Sequence, residues 1–252
     1  MNNKFRNFLM VMLIATSGMV FGQSYVGWKI GPNMATLRGT SVHNADFLMG
    51  FNTSLSYEYG FRDMMDSDLG KNLSIQVEGA ITLKGAKADY TTIPPLYNKV
   101  TKVTTYPDTV VLNGVKQSAI YFSLPLLLKY SIGDERSRFK PNVYIGPYVN
   151  GLFSLSIDGK TLRSVDGNVN NDKRLYKDDY MGVEYGMIIG AGFVQKIGGR
   201  RTRWAISGDA RYDFGLSNIG EFRNKPDIPK QQLSDMKTST IEVSFGIRYQ
   251  LQ

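Results

Sequence analysis

The sequence predicts an all-β fold, specifically an eight-stranded antiparallel up-and-down transmembrane β-barrel. Three observations support this prediction. Apolar side chains alternate with small or polar ones along eight segments of about ten residues or more. The links between the segments differ in length on the two sides, and the less apolar parity is rich in Gly, Ser, Asn and Ala.

The first residues of the chain read as an export signal. A short basic region is followed by an apolar run that starts at Phe8 and then by small or compact residues. This layout is typical of a secretory signal peptide. We therefore expect residues 1–22 to be cleaved after Gly22 and residues 23–252 to form the exported barrel. A retained membrane anchor would need roughly 20 apolar residues, and the chain has no cysteine for a lipid anchor.

Eight alternating segments follow, and the fourth, AIYFSLPLLLKYS at residues 119–131, shows the pattern most clearly. Because successive side chains of a strand point to opposite faces, one face of this segment is wholly apolar and the other is mixed. The apolar parity places the predicted strands, in chain order, at residues 26–34, 47–59, 73–83, 120–130, 143–155, 183–193, 204–214 and 241–249. Eight such strands can close on themselves as a meander.

The predicted links are shorter on one side of the barrel than on the other. Those after strands two, four and six are short, at residues 62–71, 133–140 and 198–201. Those after strands one, three, five and seven are longer, with extremes at residues 86–117 and 156–180. Short turns opposite long loops are typical of bacterial outer-membrane barrels, in which the turns face the periplasm.

The apolar parity is predicted to face lipid. An eight-stranded barrel has an interior barely wide enough for its own side chains, so it could not hold this many large apolar ones. The other parity carries compact residues such as Asn52, Ser54, Gly186 and Gly190, which suit a narrow lumen.

Aromatic residues on the lipid-facing parity are sorted by strand end. One set falls near the predicted periplasmic ends: Trp28, Tyr57, Tyr59, Tyr130, Trp204 and Tyr249. Amphipathic rings favour the headgroup level of a membrane, so we expect these residues to form a periplasmic aromatic girdle.

Charged residues on the inward parity are predicted to form an ion-pair network in the lumen. Six acids and six bases share that parity: Lys29, Glu58, Glu78, Lys84, Lys129, Glu184, Arg203, Asp209, Arg211, Asp213, Glu242 and Arg248. Charges in a narrow interior are costly unless they are paired, and this equal balance favours a salt-bridged plug. A selective pathway usually shows one dominant sign of charge instead.

The search for catalytic, metal and cofactor sites is mostly negative. The only histidine, His43, has Ser41 and Asp46 nearby, but a lone loop histidine is more often solvated than catalytic. Residues 166–177 have the spacing of a calcium loop but lack its glycine and its bidentate glutamate. The net charge of +8, to which Lys4 and Arg6 contribute, predicts no nucleic-acid partner. We therefore predict neither an enzyme nor a cofactor or metal site.

Several stretches resemble the PorT-like outer-membrane β-barrel family. They are VGWKIGPNMATL, YFSLPLLLKYS, PNVYIGPYVNGL, YGMIIGAGF, DARYDFGLSNI and VSFGIRYQL, which together cover nearly the whole chain after residue 22. The resemblance implies a small outer-membrane barrel. Members of that family mostly lack an assigned activity, and some resemble components needed for protein secretion.

The sequence thus predicts a monomeric, non-enzymatic protein of the Gram-negative outer membrane with a plugged lumen, in contact with outer-membrane lipid. Its specific role would lie in the extracellular loops or in contacts with other envelope proteins. Two alternatives stay open, a subunit or accessory factor of a protein secretion or assembly system and a small channel. Bilayer conductance would reveal the channel, and crosslinking in intact cells would reveal secretion partners.

Overall fold

The computed structural model describes residues 23–39, 42–62, 65, 68–92, 96–98, 103–105, 110–133, 137–161, 182–198, 202–220 and 236–251. The predicted signal peptide, residues 1–22, and the calcium-loop candidate at residues 166–177 lie outside these ranges. None of the described residues forms a helix long and apolar enough to cross a membrane.

The described residues form eleven strands and one short helix. In chain order they are β1 (Ser24–Arg38), β2 (Val42–Gly60), α1 (Asp68–Asn72), β3 (Leu73–Thr92), β4 (Leu96–Asn98), β5 (Val103–Thr105), β6 (Val110–Ser131), β7 (Phe139–Ile157), β8 (Lys160–Thr161), β9 (Val183–Lys196), β10 (Trp204–Gly215) and β11 (Lys237–Gln250).

Eight of these strands close into one antiparallel barrel. Around the ring the order is β1, β2, β3, β6, β7, β9, β10 and β11, and β11 pairs with β1 from Tyr25 opposite Gln250 to Arg38 opposite Lys237. The short strand β8 pairs with β7, and β4 pairs with β5 in a separate two-stranded sheet. The prediction of an eight-stranded antiparallel up-and-down barrel is confirmed.

The alternation of side chains along each strand separates two faces. On β6, Leu124 and Leu126 are 50% and 43% exposed on the outside, whereas Ser123 and Leu127 are buried inside. The outer face therefore carries the apolar parity. This is the arrangement expected of a barrel whose outer surface contacts lipid.

One predicted outward residue, Leu155, lies inside instead. On β7, Leu152 pairs with Tyr121 but Ser154 pairs with Ile120, so a β-bulge at Phe153 inserts one extra residue. A bulge moves the following residues to the opposite face. Phe153 is 75% exposed as a result, whereas Leu155 is buried.

Two of the predicted links differ from the prediction, whereas the links after β7 and β10 are long as expected. The link after β1 is residues 39–41, which is shorter than the link of residues 61–72 after β2. The predicted loop at residues 86–117 is partly strand, because β3 continues to Thr92 and β6 begins at Val110. The alternation of large apolar residues in the sequence ends at the edge of the apolar outer face, whereas backbone pairing between strands continues beyond that edge. We call the end with links 61–72, 132–138 and 197–203 the turn end and the other the loop end.

Candidate functional site

The lumen collects nearly all of the predicted interior charges. Eleven of the twelve are buried: Lys29, Glu58, Glu78, Lys84, Lys129, Glu184, Asp209, Arg211, Asp213, Glu242 and Arg248. Six of these are acids and five are bases. They come from seven of the eight barrel strands, all except β7, and form three connected clusters along the barrel.

The central cluster is organised around Glu78 and Arg211. Glu78 accepts hydrogen bonds from Lys29 Nζ at 2.5 Å and from Arg211 Nη1 at 2.8 Å. Arg211 Nη2 also lies 2.6 Å from Glu242, and Lys29 Nζ lies 3.2 Å from Asp209. Because all five groups are buried, each charge depends on these partners to offset the loss of water.

The cluster nearer the turn end surrounds Glu58. Its carboxylate lies 3.2 Å from both Lys129 Nζ and Arg248 Nη1. Ser74 Oγ donates a further hydrogen bond to Glu58 at 3.1 Å. Two bases, one from β6 and one from β11, share this one acid, so the cluster carries a local excess of positive charge.

The cluster nearer the loop end surrounds Glu184. The carboxylate accepts hydrogen bonds from Tyr148 Oη at 2.8 Å, from Asn150 Nδ2 at 3.1 Å and from Thr238 Oγ1. Lys84 Nζ lies 3.8 Å from Glu184 and 3.5 Å from Asp213. This is the third group of buried charges inside the barrel.

Two tyrosine rings fill the space between the clusters. Tyr144 and Tyr148 pack inside the lumen with Leu127 and Ile188. A Cβ at Gly190 would lie 2.5 Å from the Tyr144 ring, and a Cβ at Gly186 would lie 2.7 Å from the Tyr148 ring. The glycine-rich stretch of β9 therefore makes room for the tyrosines of β7.

An apolar cluster occupies the interior at the loop end, and sequence reasoning missed it. Its buried members come from β1, β2, β3, β6 and the link after β10: Leu37, Val42, Ala86, Ala88, Val115, Ile219 and Met236. The available signal was a change along the inward parity of β3, from Lys84 to Ala86 and Ala88. At the loop end, apolar side chains thus take the place of charged ones inside the barrel.

Arg203 is the one interior charge that was wrongly predicted. Strand β10 begins at Trp204, so Arg203 lies just beyond the strand end and is exposed. Its parity agrees with the prediction, but the residue lies outside the strand that would place its side chain in the lumen. Arg203 instead lines the open mouth of the barrel at the turn end.

The aromatic girdle residues lie on the outer parity near the turn end. Trp28, Tyr130 and Trp204 are exposed, and Tyr57, Tyr59 and Tyr249 are half-buried. Trp204 packs against Tyr249 with ring centroids 4.9 Å apart, and Trp28 Nε1 donates a hydrogen bond to Thr53 Oγ1 at 3.0 Å. That these rings lie at a headgroup level stays a prediction.

His43 lies in strand β2 rather than in a loop. It is exposed and pairs across the sheet with Asp89, whereas Asp46 pairs with Lys87. Asp89 accepts hydrogen bonds from Asn44 Nδ2 at 2.8 Å and from the backbone N–H of Gly114 at 2.6 Å. Ser41 lies outside the described residues.

Several solved outer-membrane structures are similar to this chain. Neisserial surface protein A (NspA) is 12% identical, with 90% of this chain and 97% of that chain covered and a TM-score of 0.46. The outer membrane protein OprG from Pseudomonas aeruginosa is 11% identical, with 92% and 97% covered and a TM-score of 0.45. The outer membrane protease OmpT from Escherichia coli is 9% identical, with 91% and 97% covered and a TM-score of 0.43. No curated protein sequence matches the chain.

A family model for the outer membrane protein beta-barrel domain matches residues 20–221. This match includes seven of the eight barrel strands, β1 to β10. The chain therefore belongs to the outer membrane protein beta-barrel domain family.

Proposed function

We propose that this protein is a non-enzymatic outer-membrane barrel with a plugged lumen, which acts as a monomer through its extracellular loops or through contacts with other envelope proteins. The observation that carries the proposal is the filled interior. Ion pairs and tyrosine rings occupy the membrane section, and the apolar cluster around Leu37, Ala86 and Ile219 lies above them at the loop end. A lumen filled by side chains leaves the outer surface and loops as the places for a specific role.

Two finer assignments belong to the same proposal. Residues 1–22 are the cleaved signal peptide that directs export. The chain is a PorT-like barrel, which is supported by the position of the resembling stretches: VGWKIGPNMATL lies in β1 and YFSLPLLLKYS in β6. A role as a secretion or assembly factor would follow from this resemblance, and in-cell crosslinking from the loop end would identify such partners.

The purified protein is expected to pass no steady ion current in a planar lipid bilayer. Glu78→Ala is also expected to leave the membrane non-conducting, because Lys29, Gln76 and Arg211 still occupy that level of the lumen. Single-channel recording measures both variants. Steady unitary currents from the unmodified monomer would favour the small-channel alternative over a plugged barrel.

The loop end is expected to face the cell exterior. A peptide tag inserted into the link of residues 162–182 should bind antibody on intact cells, because outer-membrane barrels place their long links outside. The same tag inserted into the link of residues 197–203 should bind antibody only after the outer membrane is permeabilised. The opposite labelling pattern would reverse the topology.

A further inference from the structure

The mouth of the barrel at the turn end is a strongly basic pocket. Its described lining includes five bases and one acid: Lys71, Lys140, Lys196, Arg203, Arg248 and Glu58. The pocket has a volume of about 70 Å³. The proposed function does not use this pocket.

Four of the bases are placed there by strand geometry. Lys140 is the second residue of β7, Lys196 is the last residue of β9, and Arg203 directly precedes β10. Ala205 pairs with Lys196 on one side and with Arg248 of β11 on the other. All four bases follow the inward parity of their strands, so they converge on the mouth from four adjacent strands.

The one described acid of the lining does not balance the three bases Lys140, Lys196 and Arg203. Glu58 is the acid of the lining, and its carboxylate is already shared by Lys129 and Arg248, each at 3.2 Å. The described residues offer no ion pair to Lys140, Lys196 or Arg203. Gathering like charges in one concave mouth destabilises the folded state and attracts a counter-anion.

We propose that this basic mouth binds a phosphate group. Lysine and arginine are the residues that most often bind phosphate, and several bases around a small volume suit a compact group with more than one negative charge. Trp204 and Leu73 also line the pocket, which places it beside the aromatic girdle, at the level where lipid headgroups are expected. Both an anionic lipid headgroup and a soluble phosphate carry this chemistry.

Trp204 provides a direct probe of the pocket. The sequence has two tryptophans, so Trp28→Phe leaves Trp204 as the only one. Titrating inorganic phosphate into the full-length Trp28→Phe protein in neutral detergent micelles is expected to change Trp204 fluorescence saturably. Sodium chloride and sodium acetate at the same ionic strength are expected to give no saturable change.

The variant that tests the site is Lys196→Gln combined with Arg203→Gln in the same background. We expect it to weaken phosphate binding at least tenfold. In phosphate-free buffer it should unfold at the same or a higher temperature, because it removes repulsion and no described ion pair. The matched control is Lys116→Gln, which removes an exposed base in the loop-end part of β6 and should leave phosphate binding unchanged.

The source of the phosphate is tested by repeating the titration in lipid nanodiscs. If the natural ligand is a lipid headgroup, phosphatidylglycerol added to phosphatidylcholine should compete and weaken binding of inorganic phosphate several-fold. If the ligand is soluble, binding should be the same in both nanodiscs. The proposal is overturned by no saturable response in micelles, by an equal response to acetate, or by equal weakening in Lys116→Gln and the double variant.

Discussion

Arg211→Ala is expected to lower the free energy of unfolding by about 3–5 kcal/mol, the cost of leaving buried charges without their partner. Arg211 is the base that contacts both Glu78, at 2.8 Å, and Glu242, at 2.6 Å. Glu78 would keep its ion pair with Lys29, but Glu242 would lose its ion pair with Arg211, which is the one described for it. Urea unfolding in detergent or in phospholipid, followed by tryptophan fluorescence or by heat-modified gel migration, measures this change.

Two further variants separate a lost ion pair from a general effect of removing arginine. Arg203→Ala removes an exposed base at the mouth and is expected to change stability by no more than about 0.5 kcal/mol. Combining Arg211→Met with Glu242→Gln removes both charges of the Arg211–Glu242 ion pair, and we expect this double variant to be less destabilising than Arg211→Ala. Equal stability of Arg211→Ala and the unmodified protein would refute the view that the lumen depends on its ion pairs.

The barrel was largely predictable because side-chain alternation is a local property of the sequence. Each residue of β6 from Ile120 to Tyr130 occupies the face that its parity predicts. Leu155 was misplaced because a β-bulge changes parity without any change in composition. Arg203 was misplaced because alternation gives the direction of a side chain but not the residue at which the strand ends.

The ion-pair partners could not be predicted from the same signal. Lys29 and Glu78 are 49 residues apart in sequence, and Arg211 and Glu78 are 133 apart. Which inward charges meet depends on the register of each strand pair and on the stagger of the closed ring. Alternation predicted that these side chains share one interior, and only the closed structure brings Arg211 to Glu78 and Glu242.

Two of the predicted links, the one after β1 and the one between β3 and β6, differ from the prediction for a related reason. The apolar outer parity of β1 ends near Met34, but β1 and β11 remain paired to Arg38. Hydrogen bonding between strands does not require lipid, so the barrel wall continues past the apolar band. The interior of this extension is lined by residues such as Leu37 and Val42, which form the apolar cluster at the loop end.

The second large effect is expected on the lipid face. Leu126 is 43% exposed and lies midway along the apolar outer parity of β6, between Phe122 and Tyr130. Leu126→Arg would place a charge near the middle of the hydrocarbon layer, at a cost of about 2–4 kcal/mol. Reversible urea unfolding from phospholipid vesicles measures this cost directly.

Ile132→Arg is the matched control for this prediction, because it makes the same kind of change at a different depth. Ile132 is 48% exposed, directly follows the end of β6, and has the same parity as Leu126. At this level an arginine can reach the headgroups and water, so we expect a cost of about 0–1 kcal/mol. A gradient from Leu126 to Ile132 is the signature of a membrane around the barrel, since in water both exposed positions would accept arginine equally well. Equal costs at the two positions would therefore contradict the assignment of this face to lipid.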